Sequence, residues 1–118
     1  RQRGVRVVPA EECWYKSLAP LMAEVRQAIG PDRPLYLSFD IDGLDPSVAP
    51  GTGTPEPGGL TASQGLEIIR GLYGLNLVGC DLVEVAPAYD LSGNTALLAA
   101  NLVFEMLCSL PGCVRGDR

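Results

Sequence analysis

The pattern of apolar and polar positions predicts strands and helices that alternate along the chain. Apolar runs at residues 5–8 and 35–41 are typical of strands, and residues 77–85 form a third run that is apolar on both faces, as in a central parallel strand. Residues 16–29 carry apolar side chains at helical spacing, and Gly30-Pro31 ends that helix. The first half of the chain is therefore predicted to form a strand, a helix and a second strand, in that order.

Two further helices complete the pattern. After a loop over residues 43–60, Thr61 and Gln64 match a capping box and predict a helix that Gly74 can close. The last helix starts near Asp90 or Ser92 and runs to about Cys108. It is apolar on nearly every side, so we expect it between layers or at a subunit contact. This order predicts an α/β fold with a parallel sheet, about three strands and three helices, and a disordered tail at residues 111–118.

The length, composition and charge of the chain argue against several classes of function. The chain has 118 residues, enough for one domain at most, and its 47% hydrophobic content hints at apolar surface that packs against more protein. A net charge of −5 argues against a nucleic-acid partner, and no apolar run approaches the ~18 residues of a membrane span. The cysteines show no CxxC spacing, which favours a reducing, intracellular compartment. The first residue is Arg, so we expect the native start to be missing.

The candidate chemistry lies at strand ends. Asp40 and Asp42 lie at the end of the second strand. Side chains alternate along a strand, so both carboxylates are expected on the same side, ~6.6 Å apart along the backbone. Glu84 lies at the corresponding end of the next strand, where open parallel sheets bind ligands. Three carboxylates there would suit Mn²⁺ or Mg²⁺, or a cationic substrate. The alternatives are turn-forming aspartates and a buried ion pair at Glu84. The chain has no histidine, so further ligands must be Asp or Glu carboxylates, water, or residues that are not in this chain.

Other readings of Asp40, Asp45 and the following loop fit the sequence less well or indicate a structural role. Asp45 precedes a proline and is typical of a structural turn. The loop over residues 49–60 combines glycines and prolines, which predicts one fixed backbone path, and it lacks a phosphate-binding pattern. An EF-hand starting at Asp40 would need Gly and Glu where the chain has Asp45 and Gly51. An Asp-x-Asp phosphatase would need a downstream lysine, and the one lysine, Lys16, lies upstream.

Five segments stand out: SFDIDGLDP at 38–46, APGTGTP at 49–55, GGL at 58–60, DLVEVAPAYD at 81–90 and SGNTA at 92–96. Together they resemble the ureohydrolase (arginase and agmatinase) family. The similarity runs from near Val5 to near Leu107, and the later motifs look like the agmatinase branch in particular. The resemblance implies a three-layer α/β/α fold with a parallel sheet, of which residues 1–110 would be the C-terminal portion.

The resemblance also implies a chemistry. In that family two manganese ions activate a bridging hydroxide, which attacks the guanidinium carbon of a linear guanidino compound and releases urea and an amine. By resemblance, Asp40 bridges both Mn²⁺ ions, Asp42 binds one, Glu84 pairs with the substrate guanidinium and Thr54 lies beside the substrate. A homo-oligomer in mitochondria or cytoplasm is implied as well.

The chain departs from the family in its metal ligands. The family's earlier His, its Asp-Ala-His-x-Asp segment and a further proton-transferring His are absent from this sequence. We therefore expect a C-terminal part of such a hydrolase that is inactive alone, with an incomplete manganese site. The alternative is a catalytically silent product that associates with full-length subunits.

Overall fold

The computed structural model describes residues 4–113. Within them lie two parallel strands, three α-helices and three short 3₁₀ turns. The helices and strands, in chain order, are α1 (Ala19–Ile29), β1 (Leu35–Asp40), α2 (Ala62–Arg70), β2 (Leu77–Val83) and α3 (Asn94–Cys108). The predicted disordered tail lies mostly outside the described residues.

The sheet confirms a parallel α/β fold, with one strand fewer than predicted. β1 and β2 pair directly, from Leu35 opposite Leu77 to Asp40 opposite Val83. The prediction of a strand at residues 5–8 is wrong: this segment forms no strand, and Val5 and Val7 are mostly exposed. An apolar run becomes a strand only when another strand accepts its backbone hydrogen bonds, and none does so within residues 4–113.

The three helices pack on one face of the sheet. Alternate residues of β1 point toward them, and Phe39 joins Ile69, Leu102 and Met106 in the larger hydrophobic core. The opposite face of β1, which includes Tyr36, is exposed. The described residues therefore form a sheet covered on one side, which is a partial domain of the predicted layered fold.

The helix boundaries follow local signals. Thr61 and Gln64 form the predicted capping box, with each side chain accepting a hydrogen bond from the other residue's backbone N–H. α2 ends at Arg70, four residues before Gly74, because the chain continues as turns. At the start of α3, the Asp90 carboxylate accepts a hydrogen bond from the Thr95 N–H at 2.7 Å. Asp90 therefore helps to cap this helix.

The predicted burial of α3 holds for one of its sides. Thr95, Leu102 and Met106 are almost fully buried, whereas Leu97 is 70% exposed and Phe104 54% exposed. The apolar residues on the second side have no cover within residues 4–113. No helix in this part of the chain combines the length and the apolar character required to cross a membrane.

Candidate functional site

Two carboxylates meet where β1 ends. Asp40 is the last residue of the strand, and Asp42 lies in the following 3₁₀ turn, Ile41–Gly43. The argument from strand alternation is therefore wrong for Asp42, because the chain has already left the strand. The two residues stay adjacent for another reason: the Asp42 N–H donates a hydrogen bond to Asp40 Oδ1 at 3.0 Å. Ile41 between them is fully buried and anchors the turn.

Thr54 reaches this pair from the long loop. Its hydroxyl donates a hydrogen bond to Asp42 Oδ2 at 2.5 Å, although the two residues are 12 positions apart. A hydroxyl donor of this kind orients a carboxylate and leaves its other oxygen available to bind a ligand. The structure thus brings together three of the four residues predicted for the site: Asp40, Asp42 and Thr54.

Glu84 lies close enough to affect the Asp40 carboxyl. Desolvation by the surrounding protein raises the pKa of Asp40 above its usual range, and the negative charges of Asp42 and Glu84 add to the increase. Glu84 follows β2 and has a φ of 73°, in the left-handed region that a residue with a Cβ rarely occupies. Backbone strain of this type is concentrated at functional sites.

The residues present fit part of a metal site. A hard cation beside Asp40 and Asp42 would offset both the desolvation and the like-charge repulsion that raise the Asp40 pKa, and carboxylate oxygens are ligands that Mn²⁺ accepts. However, residues 4–113 contain no group of three or more His, Cys, Asp or Glu side chains arranged to hold a metal ion. This chain segment can therefore supply two ligands and not a complete site.

Asp45 fixes the loop that carries Thr54. Its carboxylate accepts hydrogen bonds from the N–H groups of Ser47, Gly58 and Gly59, at 2.9, 2.8 and 3.2 Å. Hydrogen bonds from Ser47, followed by those from the two glycines, lower the pKa of Asp45 to about 2. The structural role predicted for Asp45 is confirmed. Its hydrogen bonds reach as far as Gly59, which lies 14 residues further along the chain.

A second anchor was missed by sequence reasoning. The Gly51 N–H donates to Thr95 Oγ1 at 2.9 Å, and that hydroxyl donates to Asp90 Oδ2 at 2.6 Å. A Cβ on Gly51 would lie 2.9 Å from the Cβ atoms of both Asp90 and Thr95, so no larger residue fits without a shift. The Gly51 carbonyl also accepts the Ala86 N–H at 2.7 Å, which ties the loop to the segment that follows β2.

Comparison with known proteins identifies the family. The model of the arginase family matches residues 1–108. The chain belongs to the arginase family. It is 76% identical over 110 residues to the mitochondrial agmatinase of Gallus gallus, covering 93% of this chain and 32% of that protein. It is 70% identical over 115 residues to the guanidinobutyrase of Pseudomonas aeruginosa, covering 98% and 36%.

A solved structure agrees with this assignment. The proclavaminate amidino hydrolase of Streptomyces clavuligerus superposes with a TM-score of 0.85 at 44% identity, covering 91% of this chain and 35% of that one. The arginase-family chain described here thus spans about a third of the length of the relatives it matches. The predicted family resemblance and the predicted partial α/β domain are both confirmed.

Proposed function

We propose that this chain is the part of a manganese-dependent ureohydrolase that supplies two metal-binding carboxylates and the guanidinium-binding carboxylate. The complete protein would hydrolyse a linear guanidino compound to urea and an amine. The observation that carries the proposal is the contact of Asp40 with Asp42 and of Asp42 with Thr54 at the carboxyl end of β1. Turn-forming aspartates alone would not need a hydroxyl delivered from a distant loop.

Each residue has a separate task in this proposal. Asp40 and Asp42 would hold the manganese, with Asp40 shared between the two ions and Asp42 bound to one. When bound, manganese makes a water molecule acidic enough to act as a nucleophile near neutral pH. Glu84 would hold the planar guanidinium through paired hydrogen bonds and so set its distance from the nucleophile. Thr54 would orient Asp42 and border the substrate.

The substrate and the location are proposed more broadly. One close relative is named for agmatine and another for guanidinobutyrate, so the shared feature is an unbranched chain with a terminal guanidinium. Glu84 would recognise that shared group and would not distinguish a distal amine from a distal carboxylate. A mitochondrial location is supported by the Gallus gallus relative, with the cytoplasm as the alternative.

Manganese binding to the 118-residue chain tests the proposal. We expect weak binding in calorimetry that is lost when Asp40 and Asp42 are both replaced by Asn, because two carboxylates hold a hydrated cation only loosely. A variant with Asp32→Asn and Glu11→Gln removes the same charge elsewhere on the surface and should bind as the parent does. Equal binding by the double Asn variant would contradict the site assignment.

Catalysis by the isolated chain provides a second test. Two ligands cannot hold two ions in fixed positions, so we expect no urea from agmatine or guanidinobutyrate above a protein-free blank. Urea release by manganese-loaded chain would show that the described residues form a more complete site than we propose.

A second candidate function rests on the exposed side of α3. Leu97, Phe104 and Leu107 are each more than half exposed on this helix, as expected of a surface that binds another protein. In this alternative the chain is catalytically silent and associates with full-length subunits of its family. Co-purification with a tagged full-length relative, and its loss when Phe104 and Leu107 are replaced by Ser, would favour this function. Absence of co-purification would exclude it.

A further inference from the structure

Trp14 contacts the long loop from a distant part of the sequence. Its indole Nε1–H donates a hydrogen bond to the Gly58 carbonyl at 2.8 Å, across 44 residues. Gly58 has a φ of 89°, and a Cβ there would lie 3.2 Å from Trp14 Cζ2. The indole ring therefore packs against the backbone of Gly58, where no side chain intervenes, and also donates a hydrogen bond to the Gly58 carbonyl.

Gly58 is held from two sides. Trp14 binds its carbonyl, and Asp45 Oδ2 accepts its N–H at 2.8 Å. The next residues also return to the site: the Leu60 N–H donates to the Gly43 carbonyl at 3.0 Å, one residue after Asp42. The loop that begins after Asp42 thus closes on itself at residues 58–60.

The position of Trp14 is itself fixed. The buried Gln64 side chain donates from Nε2 to the Cys13 carbonyl at 2.6 Å and to the Lys16 carbonyl at 2.9 Å. These bonds attach the residues on both sides of Trp14 to the first turn of α2. The indole is therefore presented by a rigid segment, although 43% of the Trp14 surface is exposed.

We propose that Trp14 is a positioning residue for the candidate site. By fixing Gly58 together with Asp45, the indole N–H sets the path of the loop between the Gly51 anchor and Gly58, and so helps to keep the Thr54 hydroxyl on Asp42 Oδ2. Trp14 does not reach the carboxylates itself. The inference rests on the proposed function in one respect, namely that Thr54 orients Asp42 for a metal ion.

The first test needs no metal. Trp14→Phe keeps an aromatic ring and removes the N–H donor. We expect hydrogen–deuterium exchange over residues 51–59 to become up to about tenfold faster, the range for one net hydrogen bond, while exchange in α3 is unchanged. Tyr15→Phe is the matched control, because Tyr15 is fully exposed and should alter neither segment. Faster exchange confined to residues 58 and 59, or none, would overturn the proposal.

The second test is a double-mutant cycle on manganese affinity. Trp14→Phe and Thr54→Val should each weaken binding about tenfold, as expected when the partner that orients a ligand is lost. The double variant should be no weaker than either single one, because Trp14 acts through Thr54. Additive losses would overturn the proposal. If the parent chain binds no manganese, the proposed function fails and the exchange experiment alone decides the role of Trp14.

If the Trp14→Phe variant does not fold, a measurement on the parent chain still tests the proposal. Trp14 is the one tryptophan in the sequence, so its indole N–H gives a single resonance. We expect this proton to exchange with water at least about threefold more slowly than in the urea-unfolded chain. Equal rates would show that the hydrogen bond to Gly58 does not persist, and the proposal would be wrong.

Discussion

The hydroxyl of Thr95 is the most informative single group to remove from this fold. Thr95 is fully buried, and its hydroxyl accepts the Gly51 N–H and donates to Asp90. Thr95→Val keeps the shape and deletes both interactions. The Gly51 N–H would then be buried without a partner, which costs about 1–3 kcal/mol, and the lost bond to Asp90 would add to this. The free energy of unfolding of a small domain is about 5–15 kcal/mol in total, so this loss of stability is large.

Urea unfolding gives the comparison directly. We would follow Trp14 fluorescence and helical circular dichroism together, and repeat the measurement at two protein concentrations to exclude self-association. Thr95→Ser keeps the hydroxyl and should recover most of the loss. Thr54→Val removes an exposed hydroxyl and should change the free energy of unfolding by less than about 0.5 kcal/mol. If Thr95→Val is as stable as Thr54→Val, the loop is not anchored at the start of α3.

Two further predictions concern the carboxylates. Because the Asp45 pKa is lowered to about 2, its contribution to stability is complete above the unfolded value of ~3.9 and is lost as the pH falls toward 2. The difference in urea midpoint between the parent and Asp45→Ala should therefore shrink over that range, and a constant difference would contradict the role of its charge. The pKa of Asp40 is raised, so its ionisation weakens the folded state as the pH rises through the folded value. Replacing Asp40 and Asp42 by Asn should therefore leave thermal stability at neutral pH unchanged or higher, and a large loss would show that the two aspartates are structural.

Sequence reasoning succeeded where the decisive contacts are local. The capping box joins Thr61 to Gln64 across one helical turn, and the Asp45 turn begins with a contact to Ser47 two residues away. Residue types and spacing are sufficient to find such features. The apolar pattern of β1 was equally clear, because one face of that strand packs on the core.

The error at Asp42 is local, because a 3₁₀ turn begins where the strand was predicted to continue, but the other errors and omissions involve contacts between distant residues. The run at residues 5–8 has strand composition, but whether it pairs depends on another strand. The contact of Trp14 with Gly58 and that of Gly51 with Thr95 each span 44 residues, and no local pattern marks them. The segment DLSGN at residues 90–94 does contain a turn signal, which suggested Asp90 as a cap but not Thr95 as an anchor.

Two unfavourable features of the described residues lie at the candidate site. Glu84 has a left-handed backbone that costs about 1–3 kcal/mol in a residue with a Cβ. Asp40 has a raised pKa because the protein desolvates its carboxylate and because Asp42 and Glu84 carry like charges nearby. Turn-forming aspartates would be expected to lower the free energy of the fold, as Asp45 and Asp90 do through the amides that they bind. The raised pKa of Asp40 shows the opposite behaviour for that carboxylate. A cation bound beside Asp40 would offset the desolvation of its carboxylate and its repulsion from Asp42 and Glu84. The contrast between Asp40, whose charge is disfavoured, and Asp45 and Asp90, whose charges are stabilised, is therefore the strongest physical argument that this strand end is built for a positively charged ligand.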